Sequence, residues 1–363
     1  MLQGFQLNHV LLEECHSNVW AGVEDKSQIR NLSTIIRFFL KWLFAYPGLI
    51  WRFLRTTKPD VVFIGYLGQL DVLVLWPFAK VRSVPVIWDA HLSLYSTVVE
   101  DRKMIKSTNL LARFLFLWEL VACRAADFVL LDTQAHVRYF IEKFKVRCEK
   151  IGSVYVGAEP DYFYPEIETK KAPVKDGSIT AFFFGQFIPL HGIETIILAA
   201  QKMNNPRVNW LIAGKGQVEG QIRQMLDDNP VENFTWVPWV PHEELFKEIH
   251  AADVCLGIFG DSDKASRVIP NKVFQIIACG CPLITRDSPA IRELVTPPYK
   301  GIYLVPPSDP DALRQAINLF IEDLDEIRKA VLFSDIQGFI HPAAIGKALM
   351  NIINQEIIQP DNL

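Results

Sequence analysis

The sequence predicts an α/β protein built of two doubly wound domains that face a cleft. Three observations carry this reading. The chain has 363 residues, more than one ordinary hydrophobic core fills. Short apolar, β-branched runs alternate with longer helical patterns in both halves, as expected for parallel sheets covered by helices. Between the halves lies GAEPDYFYPEIETKKAPVKDG, residues 157–177, rich in proline, glycine and charge and without apolar periodicity.

Taken in order, the first half places strands at 9–14 (HVLLEE), 60–65 (DVVFIG), 84–88 (VPVIW), 127–132 (DFVLLD) and near 153–156 (SVYV). The second half places them at 179–185 (ITAFFFG), 208–214 (VNWLIAG), 234–237 (FTWV), 252–259 (ADVCLGIF), 282–285 (PLIT) and 302–305 (IYLV). The expected division is a first domain over 1–160, a hinge over 161–177, a second domain over 178–340, and a C-terminal helix and tail over 341–363. Ligands of open α/β sheets lie outside the carboxyl ends of strands, so the loops after Gly185, Gly214, Val237, Phe259 and Thr285 form the expected working surface of the second domain.

Half of the residues are hydrophobic, 21% are charged, and the formal net charge is -4. Such a balance describes a folded globular chain and excludes nucleic acid as the expected partner. There is no run of eighteen uncharged apolar residues and no secretory leader pattern at the N-terminus, which makes the cytoplasm the expected compartment. Six scattered cysteines form no disulfide framework, so reduced thiols are expected.

One segment departs from this average. From Lys26 to Lys58 there is no acidic residue, while Arg30, Arg37, Lys41, Arg52, Arg55 and Lys58 punctuate the aromatic and aliphatic run IIRFFLKWLFAYPGLIWRFLR. The charges and Pro47 interrupt it too often for a membrane span. A basic, aromatic amphipathic stretch over 30–58 suits an anionic membrane surface on the inner face, and two ordinary helices packing inward fit the same periodicity.

The loops carry the candidate chemistry. After the first strand of the second half, Gly185 permits a sharp turn and Gly192 precedes a helix whose free amides and positive dipole end can receive phosphate, with Gln186 and His191 alongside. A turn glycine and a surface histidine explain the same residues. The next strand ends in AGKGQ, where Gly214 allows close approach and Lys215 offers charge, a pattern common to strand-to-helix turns. After Val237, the rigid loop around Trp239 can stack on a base or pack at an edge. Asp261-Ser262-Asp263 invites a divalent-cation reading, but no third ligand stands nearby in sequence and a solvated loop is expected.

The stretch RVIPNKVFQIIACGCPLIT, residues 267–285, reads as a helix with Pro270 at its first position and Gly280 just past its end. At 100° per residue Asn271, Lys272, Gln275 and Cys279 fall on one side and Val273, Phe274, Ile276 and Ile277 on the other. The Cys279/Cys281 pair lacks the partners of a zinc or redox site, so packing at the helix exit is expected. Lys272, in the first turn, adds charge beside the positive dipole end.

In order and spacing, FFFGQFIPLHGIETIILAA, LIAGKGQ, FTWVPWVPHEELFKEIHAADVCLGIF and IPNKVFQIIACGCPLITRDSPAIRELV resemble the second domain of retaining glycosyltransferases of the GT-B fold, family 4. YLGQLDVL, WDAHLSLYSTVVEDRK and AADFVLLDTQAHVRYF are similar to a bacterial branch of that family. With the hinge, the likeness covers most of 126–345. It implies two Rossmann-like domains that move a sugar from a nucleotide diphosphate sugar to a glycan or lipid-linked glycan acceptor, with retention of configuration and with neither an obligatory metal nor another cofactor. A nucleotide-sugar epimerase shares this two-domain fold, and the first-half likeness favours the transferase.

Residue by residue, the resemblance puts Gln186 and His191 where the family has a phosphate-clamping Arg and Lys, and Arg267 and Gln275 where it has a Glu-x7-Glu pair. Arg267 and Lys272 then stand in for the phosphate charge, and Gln275 for a ribose contact. The histidine near the reacting sugar is matched by His91, with Asp89 as its alternate. The opening MLQGFQLNHVLLEE resembles the end of the family's first helix and its second strand, so the resemblance implies that the first βα unit is absent. The other function these departures allow is a non-catalytic sugar-nucleotide-binding or partner-binding relic of the fold.

Overall fold

The computed structural model describes residues 1–19, 32–165, 177–203 and 205–358. Helix α1 (Leu2–Leu7) and the 24-residue α2 (Leu32–Arg55) precede the first sheet. Its parallel strands lie in the order β1 (Val62–Ile64), β2 (Val86–Asp89), β3 (Phe128–Leu131), β4 (Ile151–Ser153). Helices α3 (Gln69–Arg82), α4 (Leu110–Ala125) and α5 (Gln134–Phe144) make the crossovers, and a short helical segment, Ser96–Asp101, sits between β2 and α4.

The alternation of side chains along these strands loads both faces of the sheet. On one face Ile64, Val86, Trp88, Val129 and Leu131 bury Phe53 of α2, Val72 and Ala79 of α3, Ala122 and Cys123 of α4, and Phe140 and Phe144 of α5. The other face carries Ile87, Phe128 and Leu130, which pack on Phe5 of α1 and on Ile345 and Leu349 of α14 (Pro342–Ile352). The C-terminal helix therefore closes the first domain. Gly4 and Gly346 let α1 and α14 touch backbone to backbone: a Cβ on Gly346 would stand 2.2 Å from the Gly4 carbonyl oxygen.

The second sheet is also parallel, in the order β10-β9-β8-β5-β6-β7, from β5 (Ile179–Phe184), β6 (Val208–Ala213), β7 (Phe234–Val237), β8 (Val254–Leu256), β9 (Leu283–Arg286) and β10 (Ile302–Val305). It is covered by α6 (Ile193–Lys202), α7 (Glu219–Asp228), α8 (His242–Ala251), the short α9 (Asp263–Arg267), α10 (Asn271–Ala278), α11 (Ile291–Leu294), α12 (Pro310–Lys329) and α13 (Ser334–Ile340). Phe182, Phe183, Phe187, Phe274 and Phe320 are wholly buried in its core. Asp309 caps α12, accepting from the Ala312 amide, with Pro310 at the first helical position, a pairing that starts a helix cleanly.

Three expectations change. Residues 9–14 form no strand: Leu11 is fully exposed, β1 is the edge of the sheet, and nothing among the described residues pairs with this segment. The strand expected near 153–156 lies at 151–153, since the chain turns away at Gly157, whose φ is +74° and whose Cα faces the Ile340 carbonyl. Residues 32–55 form one helix and not two, with Pro47 inside it. Among the described residues no helix is long and apolar enough to cross a membrane. Most of the hinge, 166–176, falls outside the described residues, as do residues 30 and 31.

Candidate active site

The carboxyl ends of β2 and β3 face those of β5, β6 and β8, and the loops that leave them meet. Asp89 ends β2. His91 follows with φ +50° and sets its ring edge-on to Tyr66 at 5.6 Å between centroids. Burial raises the Asp89 carboxyl to about 7, with the chain's terminal amine opposing. Burial also lowers the His91 imidazole, against the pull of Asp132. At this end of the first domain the structure therefore holds a carboxyl that titrates at about 7 and, two residues on, a neutral imidazole, each able to accept a proton.

A buried carboxylate anchors the loop that leaves this pair. Glu119 of α4 accepts from Ser93 Oγ at 2.7 Å and from the amides of Leu94 and Tyr95 at 3.0 and 3.1 Å. Beside it, Asp132 and His136 are both buried and share a 2.8 Å bond.

Across the cleft, Gly185 follows β5 with φ +138°. A Cβ there would stand 2.9 Å from Lys272 Nζ and 3.1 Å from His191, so a glycine is needed for the lysine to lie against this turn. Lys272 comes from the first turn of α10, which Pro270 caps. Its Nζ is buried, sits 3.7 Å from the Phe183 ring centroid and has no hydrogen-bond partner among the described residues. Burial pushes this ammonium well below its usual range. An unpaired buried cation is costly, and an anion at Gly185 would relieve that cost.

The other expected donor contacts divide. Gln186 is exposed and accepts from Arg102 Nη2 of the first domain at 3.4 Å. His191 is not on the surface: it is buried, its Nδ1 donates to the Gln186 carbonyl, and burial together with Lys272 keeps it uncharged. It shapes the loop and supplies no cation. Gly192 caps α6 with φ +62°, and a Cβ there would meet the Gly260 amide at 2.4 Å, so the backbone of 259–260 covers this helix start. Gly214 lies against the Gly185 carbonyl, and Lys215 is exposed. Val237 ends β7, where its carbonyl accepts from the Gly214 amide at 2.9 Å. Edge packing falls to Trp236, which stacks near Phe187 and donates to the Gly214 carbonyl, and Trp239 is left 62% exposed at the rim.

In α10, Asn271 is exposed and Gln275 half-buried. Cys279, placed by the helical wheel with the polar side, is buried, and Cys281 Sγ lies 3.5 Å from Cys255 Sγ, so both cysteines serve packing. Arg267 does not stand free for phosphate. It donates to Ser96 Oγ at 2.9 Å, approaches Glu100 at 3.7 Å and stacks 3.8 Å from the Tyr139 ring centroid, all in the first domain.

The loop 261–264 is not simply solvated. Asp261 and Asp263 are exposed, but Ser262 caps α9 and donates to Asp101, and Lys264 is buried with its Nζ on Thr97 Oγ1 at 2.8 Å. Burial lowers Lys264 to about 8, with Asp101 opposing. Lys264, and from the first domain Arg102, whose Nε is buried without a partner among the described residues, add positive charge near His191. Both lie between a strand end and the next long helix, Arg102 just after the 96–101 segment and Lys264 within the short α9, and that placement is the signal by which the sequence could have singled them out.

Residues 178–323 match the family described as Glycosyl transferases group 1. Over 87% of its length the chain is 22% identical to a chitobiosyldiphosphodolichol beta-mannosyltransferase of Candida albicans, covering 72% of that protein. A protein of the same name from Debaryomyces hansenii is 24% identical over 74% of this chain and 63% of its own length. The chain is a glycosyltransferase of the GT-B fold. The transferase superposes on sucrose-phosphate synthase from Thermosynechococcus elongatus with a TM-score of 0.68 at 18% identity, covering 89% of this chain and 79% of the other. It superposes on Anabaena Alr3699/HepE in complex with UDP with a TM-score of 0.66 at 15% identity, covering 87% and 84%. The transferase thus carries its Gly185–Lys272 turn within the matched family segment, and its Asp89–His91 loop lies outside that segment.

Proposed function

We propose that the protein moves a sugar from a nucleotide diphosphate sugar to a lipid-linked glycan, with the donor held by the second domain and the acceptor by the first. The observation that carries this reading is the buried, unpartnered Lys272 Nζ against the glycine turn at Gly185. The diphosphate lies there, with Arg102 and Lys264 completing the charge that the leaving group needs as it departs. In this reading the half-buried Gln275 and the exposed Trp239 contact the nucleoside. The lipid-linked acceptor is taken from the names of the relatives, and a nucleotide diphosphate donor agrees with a neighbour solved with UDP-glucose.

The resemblance implies retention, whereas the relatives are named β-mannosyltransferases, and an α-linked donor yields a β product by one displacement with inversion. We adopt inversion, because Asp89 suits the base that this course requires. The acceptor oxygen bonds to the anomeric carbon, the bond from that carbon to the diphosphate breaks with its electron pair, and the acceptor proton passes to Asp89. Closure of the domains excludes water that would otherwise hydrolyse the donor.

The test is transfer from guanosine and uridine diphosphate sugars to a detergent-dispersed diphospholipid-linked chitobiose, with the product's anomeric configuration read by NMR. A retained configuration overturns the single-displacement course. The binding relic is the second reading, favoured by Arg267 being held by Glu100 and Ser96; nucleotide binding without turnover selects it.

A further inference from the structure

The first domain presents an apolar face that is not used by the cleft. On α2, Ile36, Phe39, Leu40, Leu43, Phe44, Trp51 and Leu54 are all exposed, at the spacing of one helical stripe. On α4, Leu110, Leu111, Phe114, Leu117 and Val121 form a second exposed stripe. Large side chains rarely stand in such rows on a protein that meets only water.

The tertiary structure puts the two stripes on the same side. Helices α2, α3 and α4 all bury their inner faces in the same core, on the same face of the first sheet, so their outer faces point the same way. Helix α3 lies between, contributing exposed Trp76 and Val81. The pairing also sets direction. Tyr46 donates to Asp71 at the start of α3, and Arg82 at its end donates to the Thr56 carbonyl, so α2 runs parallel to α3. Both α3 and α4 begin at the carboxyl ends of their strands, beside the cleft. The exposed Phe39 and Leu40 of α2 and Leu110 and Phe114 of α4 therefore lie toward the cleft end of this face.

The exposed charges of α2 and α4 are of one sign. Arg37, Lys41, Arg52 and Arg55 are exposed on α2, and Lys103, Lys106 and Arg113 are exposed around the start of α4. Helix α2 has no acidic residue, and the only one on α4, Glu119, is buried and bonded inward. An open groove of about 710 Å³ beside α2 is lined by Ile36, Leu40 and Phe44 together with Arg37 and Lys41. Apolar stripes rimmed by cations match a bilayer surface, where side chains enter the acyl boundary and the rim meets anionic headgroups.

We infer that α2 and α4 together form a membrane-docking face for bilayers carrying anionic lipid, lying flat on the surface with the cleft end at the membrane edge. The inference rests on the first domain alone and is independent of donor chemistry, so it can fail or stand apart from the transfer reading. The test is sedimentation of the full chain with vesicles of phosphatidylcholine alone, and with about 30% phosphatidylserine, at low and high salt. Binding to the anionic vesicles is expected to exceed binding to neutral ones by about tenfold and to weaken with salt. Phe39→Glu/Phe44→Glu on α2 and Phe114→Glu/Leu117→Glu on α4 are each expected to lower it by about tenfold. Val331→Glu, at an exposed position of the second domain, is expected to leave it unchanged. The thermal midpoint of each variant checks folding. Equal binding to both vesicle types overturns the inference. Loss with the α2 variant but not the α4 variant overturns the two-helix face, and absence of vesicle binding leaves a protein partner as the occupant.

Discussion

Glu100 and Arg267 face each other across the two domains, with carboxylate Oε2 and guanidinium Nη2 3.7 Å apart, and Lys143 and Tyr139 hold the same carboxylate at 2.8 Å each. Arg267 is thereby part of the contact that joins the domains. Arg267→Ala is expected to change nucleotide affinity by less than about threefold while lowering kcat/KM for transfer by about tenfold, some 1.4 kcal/mol. Small-angle scattering should show a larger radius of gyration. A loss confined to nucleotide binding returns Arg267 to the phosphate.

Lys272→Ala is expected to weaken nucleoside diphosphate binding by about 1 to 3 kcal/mol, the range of a charge-assisted hydrogen bond. The same substitution should not destabilise the free protein through charge loss, since no partner is left behind. Burial holds this ammonium below its ordinary range, so an arriving phosphate should raise it and binding should take up protons between the two values. Calorimetry in buffers of differing ionisation enthalpy measures that uptake. Its persistence in Lys272→Ala assigns it to another group.

Asp89→Asn is expected to abolish transfer with donor binding intact. In the unmodified protein the carboxyl titrates at about 7, so the rate should climb as pH rises through that value and the base ionises. A flat profile from pH 6 to 8, a span of about one unit either side, removes Asp89 from that role.

Glu119→Ala is expected to cost about 2 to 4 kcal/mol of stability, because Ser93 and two amides lose a buried acceptor. The sign of the pH effect is fixed by burial, which raises the folded carboxyl to about 7 while the unfolded one stays near its ordinary value. Its contribution is therefore fully present below the unfolded value and is lost as pH rises through about 7. Denaturant titrations from acid to neutral pH should find that loss in the parent and not in Glu119→Ala.

Much of the scaffold was legible because strand and helix signals are local. FTWV and IYLV became β7 and β10 at the residues expected, and Gly185 was readable as a turn because an uninterrupted apolar strand ends on it. HVLLEE misled, since a strand also needs a neighbour and none lies beside residues 9–14. His191 read as a surface histidine or a phosphate ligand for a similar reason: only its packing against Phe183 and the Gln186 carbonyl reveals it as a buried neutral group.

The sequence by itself determined two parallel-sheet domains, the loops at their strand ends and the amphipathic character of residues 32–55, because periodicity and glycine placement act over a few residues. Only the tertiary structure decided which charges are free and which are spent. Arg267 and Lys272, five residues apart in the same stretch, end on opposite terms, the first held by Glu100 of the other domain and the second buried without a partner. It also decided that α2 and α4 share a face, since that depends on which side of a sheet each crossover takes. The physical reason is the same in both cases: pairing and burial are set by residues distant in the chain, and no local pattern contains them.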